Sequence, residues 1–119
     1  MKTLLVLRHA KSSWNDPALD DHERPLNTRG RRDAPRMGQL VREYGLIPDV
    51  VLSSDAVRAR LTAEAVAEAT RYAGEILLDP NLYLAGAADI LSLLPTVRGN
   101  AETVMVVGHN PGLEQLVEQ

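Results

Sequence analysis

Two short apolar runs, each leading to a histidine, constrain this chain more than any other feature. Leu4-Leu5-Val6-Leu7 passes through Arg8 to His9, and Val104-Met105-Val106-Val107 passes through Gly108 to His109, with Asn110-Pro111-Gly112 after it. Continuous apolar runs of this length suit strands covered on both faces, as in a parallel sheet between helices. Open α/β sheets keep their ligands outside the C-terminal ends of their strands, so both runs carry a histidine to where a ligand sits. Arg8 stands beside the first histidine, and Arg58 falls at the start of a predicted helix between the two runs. Arginine presents a planar fork of donors that matches phosphate oxygens bidentately. A neutral imidazole, with an ordinary pKa of ~6.5, can attack phosphorus at neutral pH. Two imidazoles and two guanidiniums therefore make a site for a phosphoryl group, with His9 the candidate nucleophile and His109 a donor to the equatorial oxygens.

The intervening sequence alternates strand and helix. Lys11 to Asn27, with Trp14, Asp20, Asp21, His22 and Arg24, has no sustained period and reads as a long loop near the mouth of the site. Met37, Leu40, Val41 and Tyr44 recur at helical spacing before Gly45, predicting a helix from about Asp33 to Tyr44. Pro35 fits if Asp33 is the N-cap, and should kink a helix that begins nearer Thr28. Val50-Val51-Leu52 is a strand, Ser53-Ser54-Asp55 offers N-caps, and Val57 to Arg71 is an alanine-rich helix. A third strand over Ile76-Leu77-Leu78, a helix from Asp89 to Val97 broken or ended near Pro95, and the strand Val104 to Val107 follow. The fold class is α/β, a mainly parallel sheet with helices on both faces in a single domain spanning residues 1–119. Leu113, Leu116 and Val117 begin an amphipathic helix that has only about two turns before Gln119, which suggests a C-terminal truncation.

Composition excludes several classes. A formal net charge of −3 argues against general affinity for nucleic acid, and 3% aromatic residues give no stacking platform for single strands. Apolar runs are too short for a secretory core or a membrane span, so a cytoplasmic protein is expected. With no cysteine there is no disulfide, thiolate metal site or cysteine nucleophile. Arg29, Arg31, Arg32 and Arg36 read as a solvated basic cluster. His22 beside Asp20 and Asp21 reads as a solvated loop residue rather than a metal ligand.

Four motifs stand in order: Leu7-Arg8-His9-Ala10-Lys11-Ser12, Arg24-Pro25-Leu26-Asn27-Thr28-Arg29-Gly30, the stretch Ser53 to Glu64 containing Arg58-Ala59-Arg60-Leu61-Thr62-Ala63, and Gly108-His109-Asn110-Pro111-Gly112. Together they resemble the histidine phosphatase superfamily, of phosphoglycerate-mutase-like fold, and within it the SixA-type phosphohistidine phosphatases. The resemblance implies a phosphate pocket of Arg8, His9, Arg58 and His109, a transient phosphohistidine at His9, and neither metal nor cofactor. Ser12 could add a phosphate contact through its hydroxyl or backbone N–H. Superfamily members acting on small phosphate esters have an acid after the third strand, where this chain offers only Asp79 beside Pro80. Imidazole leaves far more easily than an alkoxide, so a phosphohistidine substrate has less need of that acid. The expected substrate is therefore a phosphorylated histidine-containing protein, a phosphorelay or phosphocarrier component. The rivals are a phosphatase or mutase of small metabolites using Asp79 and a non-catalytic phosphate-binding module. An apolar edge left uncovered invites self-association.

Overall fold

The computed structural model describes residues 3–83, 85–98, 101–110 and 112–117, with backbone alone for 93–98. Four parallel strands, β1 (Thr3–Arg8), β2 (Val50–Ser54), β3 (Ile76–Asp79) and β4 (Thr103–Gly108), form one sheet in the order β1-β4-β2-β3. Three α-helices join them, α1 (Thr28–Glu43), α2 (Val57–Thr70) and α3 (Ala87–Arg98), and α4 (Gly112–Val117) follows β4. The steps β1 to β2 and β2 to β3 advance across the sheet, whereas β3 to β4 turns back. Right-handed crossovers in opposite directions put their helices on opposite faces. The core divides accordingly. Val51, Met105 and Val107 pack with Ala59, Ala63 and Val66 of α2 on one side. On the other, Leu52, Val104 and Val106 meet Ile90 of α3 and Leu113 and Leu116 of α4. No helix among the described residues is long and apolar enough to cross a membrane.

Every apolar residue of β4 is buried because the strand lies between two others and between two helical layers. β1 differs from the expectation of a fully buried strand. It pairs only with β4, and along Leu4 to Leu7 only Leu7 is buried.

Helix α1 corrects the sequence reading in two ways. It starts at Thr28, five residues before Asp33, because the Asn27 side chain accepts from Gly30 N–H at 2.8 Å as N-cap. The helix then runs through Pro35, which has no N–H to give the Arg31 carbonyl. Its buried face is also not the apolar stripe. Met37, Leu40 and Tyr44 are exposed, while Gly30, Ala34 and Gly38 face inward. A Cβ on Gly38 would stand 2.5 Å from the Ala69 Cβ and 3.0 Å from the Val66 Cα, so the two helices approach at a distance only small residues allow.

The ends of two further helices differ. The N-cap of α2 is Ala56, with no side-chain cap; instead Ser54 Oγ accepts from the Ala56 N–H at 3.2 Å, and Asp55 turns to His22. That helix ends at Thr70 because Arg71 adopts the left-handed conformation, φ 57°. α3 extends from Ala87 to Arg98, past Pro95.

Candidate active site

The register of β1 against β4 builds the centre of the site. Arg8 pairs with Gly108, and the His9 N–H donates to the Gly108 carbonyl at 3.1 Å. Both strands therefore end level, and the next residue of each is a histidine. The two rings lie 5.1 Å apart between centroids, tilted by 53°. After β1 the chain leaves towards the α1 face and after β4 towards the α4 face, so the histidines stand at the switch point of the sheet, where α/β folds open a crevice. A cavity of about 560 Å³ opens there, lined by all five sequence-predicted residues, Arg8, His9, Ser12, Arg58 and His109.

Hydrogen bonds fix the tautomer of His9. Its Nδ1 lies 2.8 Å from the Ala10 carbonyl, which can only accept, so Nδ1 carries the proton and the lone pair is on Nε2. The Ala10 N–H in turn donates to Thr62 Oγ1 at 3.0 Å, and that hydroxyl donates to the Arg58 carbonyl at 2.8 Å. Thr62 of α2 thus anchors the peptide that orients the His9 ring. Burial lowers the pKa of His9 below 6.5, and the positive fields of Arg58, Arg8 and Arg24 act in the same direction against the bond to Ala10. His109 is pushed down to about 4, by burial first and then by His9 and Arg58. Its Nε2 bonds Ser54 Oγ at 2.8 Å, and its buried Nδ1 has no partner among the described residues.

Arg58 is 5% exposed although arginine belongs at surfaces. Its Nη1 donates to the Asp21 backbone carbonyl at 2.6 Å and its Nη2 to the Asp21 carboxylate at 2.9 Å, leaving Nε buried and unpartnered. Asp21 also accepts from Arg24 Nε at 3.0 Å and from the Tyr83 hydroxyl. That bond from Tyr83, with those and the fields of Arg58 and Arg24, holds its carboxyl down at about 2. Arg24, 7% exposed, completes the support: its Nη1 donates to Ser12 Oγ at 3.0 Å, and it too lines the cavity. Arg8 is exposed, and its guanidinium has no partner among the described residues.

Several participants escaped the sequence reading. Asp21 reads in sequence as a solvated loop acid, Arg24 and Thr62 only as motif residues and Ser54 only as an N-cap candidate, and Tyr83 has no assigned role. The fixed place of Arg24 before Pro25 was the one available signal; the others are recognised by contacts made across the fold. Trp14 lines the cavity against Arg24. His22 gives its two nitrogens to Asp55 at 2.8 Å and Glu23 at 3.0 Å, which raises its pKa, chiefly through the Asp55 bond. Among the described residues no group of three or more histidine and acidic side chains could hold a metal ion. Asp79 accepts from the Asn81 N–H at 2.9 Å, capping the 3-10 turn Pro80–Leu82, and is not among the cavity residues. In the basic cluster, Arg31 bonds the Leu26 carbonyl and Arg32 bonds Asp33, both locally.

Comparison with known proteins agrees with this geometry. An uncharacterised chloroplastic protein of Arabidopsis thaliana is 35% identical over 125 residues, covering 96% of this chain and 56% of that protein. The chain spans less than two thirds of the length of the first curated relatives it matches. A shorter stretch of 63 residues, 51% of this chain and 26% of its counterpart, is 44% identical to a 2,3-bisphosphoglycerate-dependent phosphoglycerate mutase of Nocardioides. Among solved structures, a protein of Agrobacterium tumefaciens assigned as the phosphohistidine phosphatase SixA superposes with a TM-score of 0.90 at 34% identity, covering 99% of this chain and 76% of that one. The protein histidine phosphatase SixA complexed with tungstate gives 0.84 at 25% identity, over 96% and 73%. The model of the histidine phosphatase superfamily, branch 1, matches residues 4–83, and the chain belongs to that family.

Proposed function

We propose that this chain is a metal-independent phosphatase that removes phosphoryl groups from histidine side chains of other proteins through a covalent intermediate on His9. The observation that carries the reading is the hydrogen bond from His9 Nδ1 to the Ala10 carbonyl, which leaves Nε2 unprotonated on a side chain lining a cavity with Arg8, Arg58 and His109. In the first step Nε2 attacks phosphorus in line. The P–N bond of the donor phosphohistidine breaks, its electron pair stays on the departing imidazole nitrogen, and that nitrogen takes a proton from solvent. In the second step water attacks phosphorus, the pair of the Nε2–P bond returns to His9, and orthophosphate leaves as the water proton passes to bulk. Arg8 and Arg58 meet the phosphoryl oxygens, and His109 donates to them as charge develops. Ser12 adds its hydroxyl proton, since its oxygen already accepts from Arg24.

Positive charge at the phosphorus comes from two arginines in this scheme, Arg8 and Arg58, so no step requires a cation. The imidazole leaving group needs no strong acid, which agrees with Asp79 being occupied as a turn cap outside the cavity. The structural likeness to SixA proteins, one of them binding tungstate, supports the same substrate class.

Brief exposure to phosphoramidate followed by mass spectrometry tests the reading. We expect an acid-labile phosphate adduct on His9 that turns over to free phosphate, and no adduct in a folded His9→Ala variant. Full phosphate release by His9→Ala would overturn the mechanism.

A further inference from the structure

The cavity has an aromatic wall beside its phosphoryl pocket. Trp14 is the single tryptophan of the chain and is 72% exposed, yet it is firmly backed. The guanidinium carbon of Arg24 lies 3.3 Å from its ring centroid. Arg24 is itself fixed by Ser12 Oγ, the Ser13 carbonyl and the Asp21 carboxylate. One face of the indole is thus covered by an immobile cation, and the exposure belongs to the other. The same residue lines the cavity that holds His9, Arg58 and His109.

We propose that Trp14 is the platform for the leaving group: its free face stacks on the imidazole ring of the incoming phosphohistidine and makes the site selective for planar aromatic leaving groups. The inference rests on the phosphohistidine reading and names the part of the site that recognises the ring which departs. Arg8, Arg58, His9 and His109 address only the phosphoryl group, which every phosphate monoester shares. Selectivity between donors must come from contacts beyond it. A flat uncharged π surface favours a ring, through offset stacking, over an aliphatic alcohol that offers no face. The plate is pre-set, because the cation beneath it is held by three partners before any substrate arrives.

The alternative role is structural, with Trp14 serving only to cover Arg24. Phosphoimidazole and phosphoramidate separate the two, since both are P–N donors with the same phosphoryl group and only one carries a ring. In Trp14→Ala the ratio of kcat/KM for phosphoimidazole over phosphoramidate should fall about tenfold, mainly through KM, and Trp14→Phe should restore most of it. An unchanged ratio, even with both rates reduced together, would overturn the platform. Because Trp14 is the sole tryptophan, its fluorescence gives a reading that needs no turnover. In His9→Ala we expect saturable quenching by phosphoimidazole that neither phosphoramidate nor free imidazole produces; an equal or absent response overturns the proposal. Phosphate release by the unmodified protein judges the phosphatase reading separately. Selective quenching without release would leave the platform standing and remove the catalysis.

Discussion

The His9 ring is oriented from outside its own strand. The carbonyl of Ala10 holds the His9 proton, and the hydroxyl of Thr62, 52 positions away from Ala10 and on another element, holds Ala10. Thr62→Val keeps the volume but leaves the Ala10 N–H without its partner, a loss of roughly 1 kcal/mol for a half-buried donor. It should lower both Tm and turnover of phosphoramidate, the latter by about tenfold for a misdirected nucleophile, with Thr62→Ser recovering both. The pH dependence follows from the same residues. A histidine pKa shifted downward keeps the ring neutral to lower pH, so the acid limb of kcat/KM should fall below the ordinary 6.5 of histidine rather than at it. A limb at or above that value would contradict the burial of His9. His9, His109, Arg8 and Arg58 were legible because strand ends and a helix start deliver them by position. Asp21, Thr62 and Tyr83 were not, because each acts through a partner 37 to 62 residues distant, and nothing in their local sequence reports it.

At the scale of elements, the strands were readable and α1 was misread, for one reason. Burial on both sides of a sheet leaves a continuous apolar run, but a helix can be buried through small residues that carry no hydrophobic signal. The stripe Gly30, Ala34 and Gly38 does this against α2, and of the apolar stripe within α1 Met37 and Leu40 point outward while Val41 packs partly buried against the core. Gly38→Val should therefore destabilise the fold by about 1–3 kcal/mol through overpacking, whereas Leu40→Gln should change stability by less than about 0.5 kcal/mol. Thermal melts of the two variants decide the matter. The loop from Lys11 to Asn27 is likewise more organised than its composition suggests, since its 3-10 turn Asp21–Glu23 is tied to α2 through Arg58 and to Arg24. Asp21 titrates at about 2 rather than 3.8, so its stabilising contribution is present above 3.8 and lost as pH falls through about 2. Trp14 fluorescence should change over that interval as Arg24 is released, and Asp21→Asn should abolish the transition.

For the molecule as a whole, the sign of the field at one mouth matters more than net charge. The chain carries −3, yet the cavity is lined by Arg8, Lys11, Arg24, Arg29 and Arg58 against the single carboxylate of Asp33. Phosphate or tungstate should therefore raise Tm by mass action, by as much as about 2.7 kcal/mol of stability at a hundred times Kd. Arg58→Ala should lose most of that gain, and an equal gain in the variant would place the anion elsewhere. The sheet order carries a last consequence, for the moment at which activity arises. Among the described residues β4 comes after the other three strands and is the one that joins β1 to β2, pairing with both. Until it inserts, β1 has no neighbour and His9 no companion. During synthesis the pocket would have no partial form: closing the centre of the sheet and assembling the pocket are a single late event, set by β1–β4 contacts 100 residues apart.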